Sequence, residues 1–451
     1  MEARKISDDI IAAISTPIGT GGIGIVRMSG TGSLSLLKKI FKCNCNDFQS
    51  HHIYYGSIVD ETENIIDEVL VNIMLAPKSY TREDVIEINC HGGLLCVQQI
   101  LQLILNSGAR LAEPGEFTKR AYLNGRLDLL QAEAVIDVIN SKTNLSKQVA
   151  VNQLNGSLSN KINECLQMIL DIIARIEAAI DYPDEYEIFD VSQEILNVSE
   201  KIKKLLDSAD VGKIIHDGIN IAIVGKPNVG KSSLLNNLAQ KDSAIVTDIP
   251  GTTRDIICEY INIDGISAKI LDTAGIHSTE NVVENLGIEK AKLCAQNADI
   301  ILLLFDWSRE FDNDDKNLLS FYNSEKILFV VNKIDLPQKF FAPDNLQLIK
   351  ISAKKNFGLD DLRKNIKKIV FGKNIFDKSN EVFVCNVRHK TALKNSYDSL
   401  MRALKTISDD LSIDLTVIDL RDAYDFLGEI IGQSVSDKIT DEIFSKFCVG
   451  K

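Results

Sequence analysis

Gly225-Lys226-Pro227-Asn228-Val229-Gly230-Lys231-Ser232 is a GxxxxGKS segment that follows the apolar run Ile219 to Val224 and precedes a stretch of helical character. That residue choice suits one kind of chemistry. Its glycines let backbone N–H groups wrap phosphate oxygens, Lys231 supplies a point charge to the β and γ phosphates, and Ser232 offers a hydroxyl to Mg²⁺. Asn228, Val229, Gly230 and Ser233 are expected to complete the nucleotide contacts of this loop. Downstream, Asp272-Thr273-Ala274-Gly275 ends another apolar run, which would set Asp272 near the Mg²⁺ shell and a Gly275 N–H near the γ-phosphate. Asn332-Lys333-Ile334-Asp335 follows a third apolar run. A carboxylate at Asp335 accepts from guanine N1–H and the exocyclic amine together, a pair of donors that adenine does not present, so GTP is expected over ATP. Ser352-Ala353-Lys354, at the end of the next apolar run, would close the base pocket through backbone contacts.

The segment Thr247-Asp248-Ile249-Pro250-Gly251-Thr252-Thr253 leads into Arg254-Asp255 and reads as a switch that closes over the γ-phosphate. The motif order matches that of Ras-like GTPases. One position departs from them: Ile276 follows DTAG where Ras-type enzymes carry a water-orienting Gln, and an aliphatic side chain binds no water. Glu284 is the best acidic candidate to replace it, although a Glu on a loop also reads as solvated surface.

These loops need a parallel sheet to hold them. Ile300 to Phe305, Ile327 to Val331 and Leu346 to Ile351 read as buried strands, and Asp264-Gly265 as a hairpin turn. Before this α/β stretch, strand-like runs at Ile53 to Val59, Glu68 to Leu75 and Val85 to Asn89 surround a helix at Leu94 to Asn106. Leu158, Ile162, Leu166, Leu170 and Ile173 then form a helical stripe that stops before Pro183, followed by a second helix over Ile195 to Leu206. Helical spacing returns at Leu393, Tyr397, Leu400, Leu404 and Ile407, and again at Ile439, Ile443 and Phe447. The expected fold is multidomain α/β: an N-terminal α+β domain over residues 1–120, a helical domain in two parts, 121–214 and 373–451, and an inserted Ras-like P-loop GTPase domain over 215–372. A length of 451 residues is enough for about three such cores.

Composition excludes several classes. A net charge of −13 repels a polyanion, so any nucleic-acid partner needs a local basic face. Two candidates for one are Lys119, Arg120 and Arg126 within 117–126, equally readable as a solvated face, and the NVRHK run at 386–390. Nine cysteines without a CxxC pair fit reduced thiols in a cytosol better than a disulfide framework or a zinc site, and Cys43 and Cys45 are expected in a solvated loop. The start has no signal-peptide pattern, and no apolar run is long enough for a membrane span, so a cytoplasmic, membrane-free protein is expected. Gly19 to Gly24 formally fits GxGxxG and Gly19 to Gly22 fits GxxG, but a strand follows, which favours a glycine turn over dinucleotide or RNA binding.

The flanking segments resemble the MnmE (TrmE) family of potassium-dependent GTPases along essentially the whole chain. The likeness rests on TPIGTGGIGIVRMSG at 16–30, SYTREDVIEINCHGG at 79–93, PGEFTKRAYLNGRLDLLQAEA at 114–134, AAIDYPDE at 178–185 and CVGK at 448–451, beside the GTPase motifs. The resemblance implies a folate-binding N-terminal domain taking 5-formyl-tetrahydrofolate or a related folate at Arg27, Glu87, Arg126 and Lys451, where family members can carry Lys at the position of Arg126. It implies K⁺ at Asn228, Thr247, Ile249 and Thr252, Mg²⁺ at Ser232 and Thr253, and water activation by Glu284. It further implies a homodimer whose GTPase domains meet, and a heterotetramer with the FAD-using MnmG (GidA) that modifies C5 of wobble uridine 34 of certain tRNAs. Cys448 matches a reactive thiol of the family, with a buried inert cysteine as the alternative. The rival is a ribosome-assembly or translation GTPase that binds rRNA, whose GTPase motifs would be the same.

Overall fold

Alternation of buried and exposed side chains builds a seven-stranded sheet from the first part of the chain. Its strands are β1 (Ile11–Ile14), β2 (Gly21–Ser29), β3 (Phe41–Lys42), β4 (His52–Val59), β5 (Ile65–Met74), β6 (Val85–Gly92) and β7 (Arg110–Leu111), in the order β3-β4-β5-β6-β2-β1-β7. Pairing is antiparallel except between β1 and β7. The structure is a computed structural model that describes residues 9–45, 47–184, 190–241, 259–271, 298–321, 326–343, 346–371 and 382–451.

Two compact units divide the chain. The first takes residues up to Ile136 together with Gln153–Ile195 and Asp398–Lys451; the second takes Asp137–Asn152 and Leu196–Tyr397.

In the first unit, Val26, Met28, Val71, Ile73, Ile86 and Ile88 face the helices Ser33–Ile40 and Leu94–Asn106 and form one core with Leu37, Ile100 and Ile104. The pleat therefore turns the residues between them to the other face. Register sets Asn72 beside Glu87 and Glu87 beside Arg27, a polar row across β5, β6 and β2. The helix Ser157–Asp181 packs along Ile413–Ile431 and buries Leu158, Ile162, Ile169, Ile173 and Ile176. Leu170, expected on that stripe, is 44% exposed, because the buried face advances through Ile169, Ile172 and Ile176 instead. Helix Ile413–Ile431 has no counterpart in the sequence-based expectation.

The second unit holds β8 (Ile219–Gly225), β9 (Glu259–Ile263), β10 (Ile266–Leu271), β11 (Ile300–Asp306), β12 (Ile327–Asn332) and β13 (Leu348–Lys350) in the order β13-β12-β11-β8-β10-β9, with only β9–β10 antiparallel. Alternate residues of β8 and β11 supply two cores on opposite faces: Ile221, Ile223, Leu302 and Leu304 in one, Ala222, Val224, Leu303 and Phe305 in the other. A strand buried on both faces reads as the unbroken apolar run seen in the sequence. Asp264 and Gly265 turn β9 into β10 with φ of 49° and 98°, as the hairpin signal predicts. β13 is shorter than the run Leu346 to Ile351.

Cys43 and Cys45 depart from the expected free thiols. Asn44 lies at a bend that brings their Cα atoms to 5.4 Å, and the two sulfurs are bonded.

Candidate functional site

β8 is the point from which the second unit's chain departs to either side: β9 and β10 lie on one flank, β11 to β13 on the other. The glycine loop leaves the carboxyl end of β8 at this switch in strand order and runs into helix Lys231–Lys241, the place where open α/β sheets bind ligands. Gly230 has φ of 100°, and a Cβ there would collide with the amide of Asn332, so only glycine fits. Asn228 is also left-handed, with φ of 64°. Lys231 donates to the carbonyls of Gly225 at 2.7 Å and Lys226 at 2.9 Å, which holds its ammonium against the loop. Ser232 and Ser233 follow on the exposed first turn of helix Lys231–Lys241.

Asn332 ties the expected phosphate and base segments together. Its side chain donates to Val229 O at 2.9 Å and accepts from Ala353 N at 2.9 Å, and it is 2% exposed. Lys333, with φ of 68°, reaches Asn228 O and Asp306 Oδ2, both at 2.7 Å. Ser352 Oγ donates to Asp335 Oδ1 at 2.6 Å and holds that carboxyl below the usual carboxylate range, so Asp335 is ionised at neutral pH. Lys354 is exposed beside it. Asn228, Val229, Gly230, Lys231, Asn332, Lys333, Asp335, Ser352 and Ala353 thus form one bonded cluster. Thr247 to Thr253, Asp272 to Gly275 and Glu284 lie outside the described residues.

Two supporting residues, Asp306 and Asn237, escaped the sequence motifs, and a third, Lys226, lay inside the glycine loop without an assigned role. Asp306 is buried; burial pushes its carboxyl up, but the bonds from Lys333 and Ser308 outweigh that and keep it ionised. Asn237 bonds the carbonyl of Ala353, and Lys226 pairs with Asp312 and Asp315. Only Asp306 carried a signal, as an acid ending the buried run before Trp307.

The first unit gathers a second polar site. Arg27 Nη2 meets Glu87 Oε1 at 2.7 Å, and Arg27 Nη1 donates to Gly450 O at 3.1 Å. Ser15 Oγ donates to the same carbonyl at 3.1 Å, so residues from the two ends of the sequence meet. Burial and the charge of Arg27 hold the Lys451 ammonium below its usual range, while Glu87 acts the other way. Arg126 stacks over Tyr80 at 4.6 Å and donates to its carbonyl, beside a cleft of about 490 Å³ that Tyr80, Arg82 and Lys78 also line. Asn72 Oδ1, on the polar row, is buried and has no hydrogen-bond partner among the described residues. Cys448 is exposed.

Several cations of the two candidate basic faces are engaged within the protein. Arg120 is 3% exposed and bonded to Asp9, Glu83 and Glu116, and Lys119 pairs with Asp441. His389 is buried against Arg388, and Lys390 pairs with Asp210. At Gly19 to Gly24 the chain passes from β1 into β2, the glycine turn that was favoured.

Strand order and the loops at its carboxyl edge are those of a Ras-like P-loop GTPase fold. Residues 10–126 match the family described as GTP-binding protein TrmE N-terminus, and residues 129–448 match MnmE helical domain. The tRNA modification GTPase MnmE of Acetivibrio thermocellus is 46% identical, covering 98% of this chain and 99% of that one. Those of Finegoldia magna and Enterococcus faecalis are 47% and 44% identical, covering 98% and 100% of this chain and 100% of each relative. The chain belongs to the MnmE family of tRNA modification GTPases.

Proposed function

We propose that this chain is a cytoplasmic enzyme that hydrolyses GTP and, with MnmG, takes part in adding a carboxymethylaminomethyl or aminomethyl group at C5 of wobble uridine 34 of certain tRNAs. The observation that carries the GTP half is the bonded cluster joining Asp335 and Ser352 to the glycine loop through Asn332. Kinship along nearly the whole chain supports the tRNA half. Among the described residues no helix is long and apolar enough to cross a membrane.

In this mechanism Asp335 selects guanine, Lys231 brings its charge to the β and γ phosphates, and the loop N–H groups fix their orientation. The exposed hydroxyl of Ser232 fits a Mg²⁺ ligand, and exposed Asn228, at the loop's crest, fits a K⁺ ligand. Thr253 would join the first, and Thr247, Ile249 and Thr252 the second. A monovalent cation there offsets charge that develops on the phosphates, the role an arginine finger fills elsewhere. Glu284 would orient the attacking water. Glu284→Ala should still bind GTP while hydrolysis in KCl falls by about 10²–10⁴-fold, the range of a general base. Near-normal turnover by that variant removes Glu284 from the mechanism.

Arg27, Glu87, Arg126 and Lys451 would hold the folate. A carboxylate such as Glu87 accepts from the amino and ring N–H groups of a pterin, Tyr80 offers a face to stack on, and the unpartnered oxygen of Asn72 adds an acceptor. Glu87→Gln should weaken 5-formyl-tetrahydrofolate binding by about 10–100-fold, the loss of one charge-assisted bond, with GTP turnover unchanged. Calorimetry that finds equal affinities would remove the row from the folate site.

The same proposal makes the chain a homodimer and a heterotetramer with MnmG, with helical segments 121–214 and 373–451 forming one domain around 215–372. A monomer by light scattering, with and without MnmG, would overturn the assembly.

The deciding experiment is a mass-spectrometric census of wobble uridines in tRNA from cells with and without the gene. Loss of the C5 modification is the expected result. Unchanged tRNA would overturn the modifying role and leave the rRNA-binding alternative.

A further inference from the structure

Asp67 on β5, Cys90 on β6 and Cys96 on the first turn of helix Leu94–Asn106 converge at one end of the first unit's sheet. One oxygen of Asp67 and the sulfurs of Cys90 and Cys96 all lie within 4.8 Å of one another. None of the three belongs to the nucleotide cluster or to the Arg27–Glu87 row.

The contacts inside the group are those of ligands waiting for a common centre. Cys96 Sγ donates to Asp67 Oδ2 at 3.0 Å, and Cys90 Sγ donates to Gly24 O at 3.3 Å. His91 holds the carboxylate from the side, with its backbone N–H on Oδ2 at 2.8 Å and ring Nδ1 against Oδ1 at 2.6 Å. Cys90 is 3% exposed and the Asp67 side chain 11% exposed, whereas the His91 side chain is 73% exposed. The sulfurs and carboxylate are therefore largely withdrawn from water on an edge that solvent can still reach.

We propose that Asp67, Cys90 and Cys96 form a binding site for a thiophilic divalent cation of the zinc class, with His91 orienting Asp67 from outside the ligand set. Two sulfurs select against Mg²⁺ and Ca²⁺, which take oxygen ligands, and favour Zn²⁺. A tetrahedral zinc centre holds thiolate sulfur at about 2.3 Å and carboxylate oxygen at about 2.0–2.2 Å, so ligand atoms of one site sit about 3.3–3.8 Å apart. The cation takes the place of the proton that Cys96 gives to Asp67; both thiols release their protons on binding, and water fills the fourth position. A hydrogen bond from His91 to the non-ligating oxygen is the kind of outer contact that fixes a ligating carboxylate.

The test uses the full chain, stripped with a chelator under reducing conditions and titrated with Co²⁺ or Zn²⁺ alone. One Co²⁺ per chain is expected, with a thiolate-to-cobalt charge-transfer band in the near ultraviolet that Zn²⁺ abolishes by displacement. Cys96→Ser, at a partly exposed position, should lose the band, and Cys90→Ser should do the same if it folds. His91→Ala, at the exposed partner, should weaken Zn²⁺ binding by about 10–100-fold with the band retained. A thermal melt and a circular-dichroism spectrum of the Cys96→Ser protein that match those of the unaltered chain show that the fold persists. Absence of the band in the unaltered chain, its survival in Cys96→Ser, or unchanged Zn²⁺ affinity in His91→Ala would overturn the site.

Discussion

Asp335→Asn is expected to lower affinity for GTP by about 10²–10⁴-fold and to raise affinity for xanthosine triphosphate. The carboxylate offers two acceptor oxygens to guanine's two neighbouring donors, each bond to a charged group contributing about 1.5–3 kcal/mol. An amide in its place turns one acceptor into a donor, which opposes the guanine amine and pairs with the carbonyl that xanthine carries there. The fold should survive, because Ser352 Oγ can still donate to the amide oxygen as it now does to Asp335 Oδ1 at 2.6 Å. Equilibrium binding of both nucleotides checks this. Equal affinity of the variant for GTP would remove Asp335 from the base pocket and with it the argument for guanine.

Arg120→Met is expected to cost the first unit about 3–5 kcal/mol of unfolding free energy at neutral pH. Arg120 is 3% exposed, and its guanidinium meets Asp9 at 2.6 Å and Glu83 and Glu116 at 3.2 Å. Without it those carboxylates face one another at low solvation, with Arg110 remaining beside Asp9 and Glu116. The loss should shrink in acid. Burial on its own would raise the Glu116 carboxyl, yet the bonds from Arg110 and the Glu113 N–H, with the charge of Arg120, outweigh it and set the folded pKa below the ordinary value. A carboxylate so depressed contributes stability above its unfolded pKa and loses it as pH falls through the folded value. The wild-type chain should therefore weaken on acidification below the usual carboxylate range more steeply than the variant. Urea unfolding at neutral pH and at a series of pH values from about 4 downward measures both slopes, and a variant as stable as wild type at neutral pH would show that the network holds nothing together.

Chemistry that depends on neighbours along the chain was legible in the sequence. The glycine loop, the Asn332–Asp335 and Ser352–Lys354 segments and the Asp264–Gly265 turn each declare themselves through a few adjacent residues, and the structure brings the loop and both segments into one cluster. What depends on strand register was not. Arg120 looks like surface charge among its neighbours, and only the fold surrounds it with carboxylates from Asp9 and Glu83. The link from Arg27 to Glu87 came from family resemblance, since nothing in their spacing announces that β2 and β6 pair at that register. Leu170 shows the same limit on a helix: a chain of four-residue steps drifts off the buried face, because four residues exceed one turn of 3.6. Asp67, Cys90 and Cys96 match no spacing rule for metals, since two strands and a helix supply them.

The bond from Arg27 to the carbonyl of Gly450 spans almost the length of the chain, and Ser15 reaches the same atom. On the ribosome this makes the polar row a surface begun with Ser15 and Arg27 and finished only when Gly450 has been made. The sheet can pair as soon as its strands emerge, while the bonds from Arg27 and Ser15 to Gly450 wait through synthesis of the whole second unit. Closing so long a loop costs only a little more entropy than closing a short one, because the penalty grows with the logarithm of length. A nascent chain stalled anywhere before residue 450 would thus carry a folded sheet whose polar row lacks its final acceptor, so synthesis of Gly450 itself becomes a checkpoint for that site.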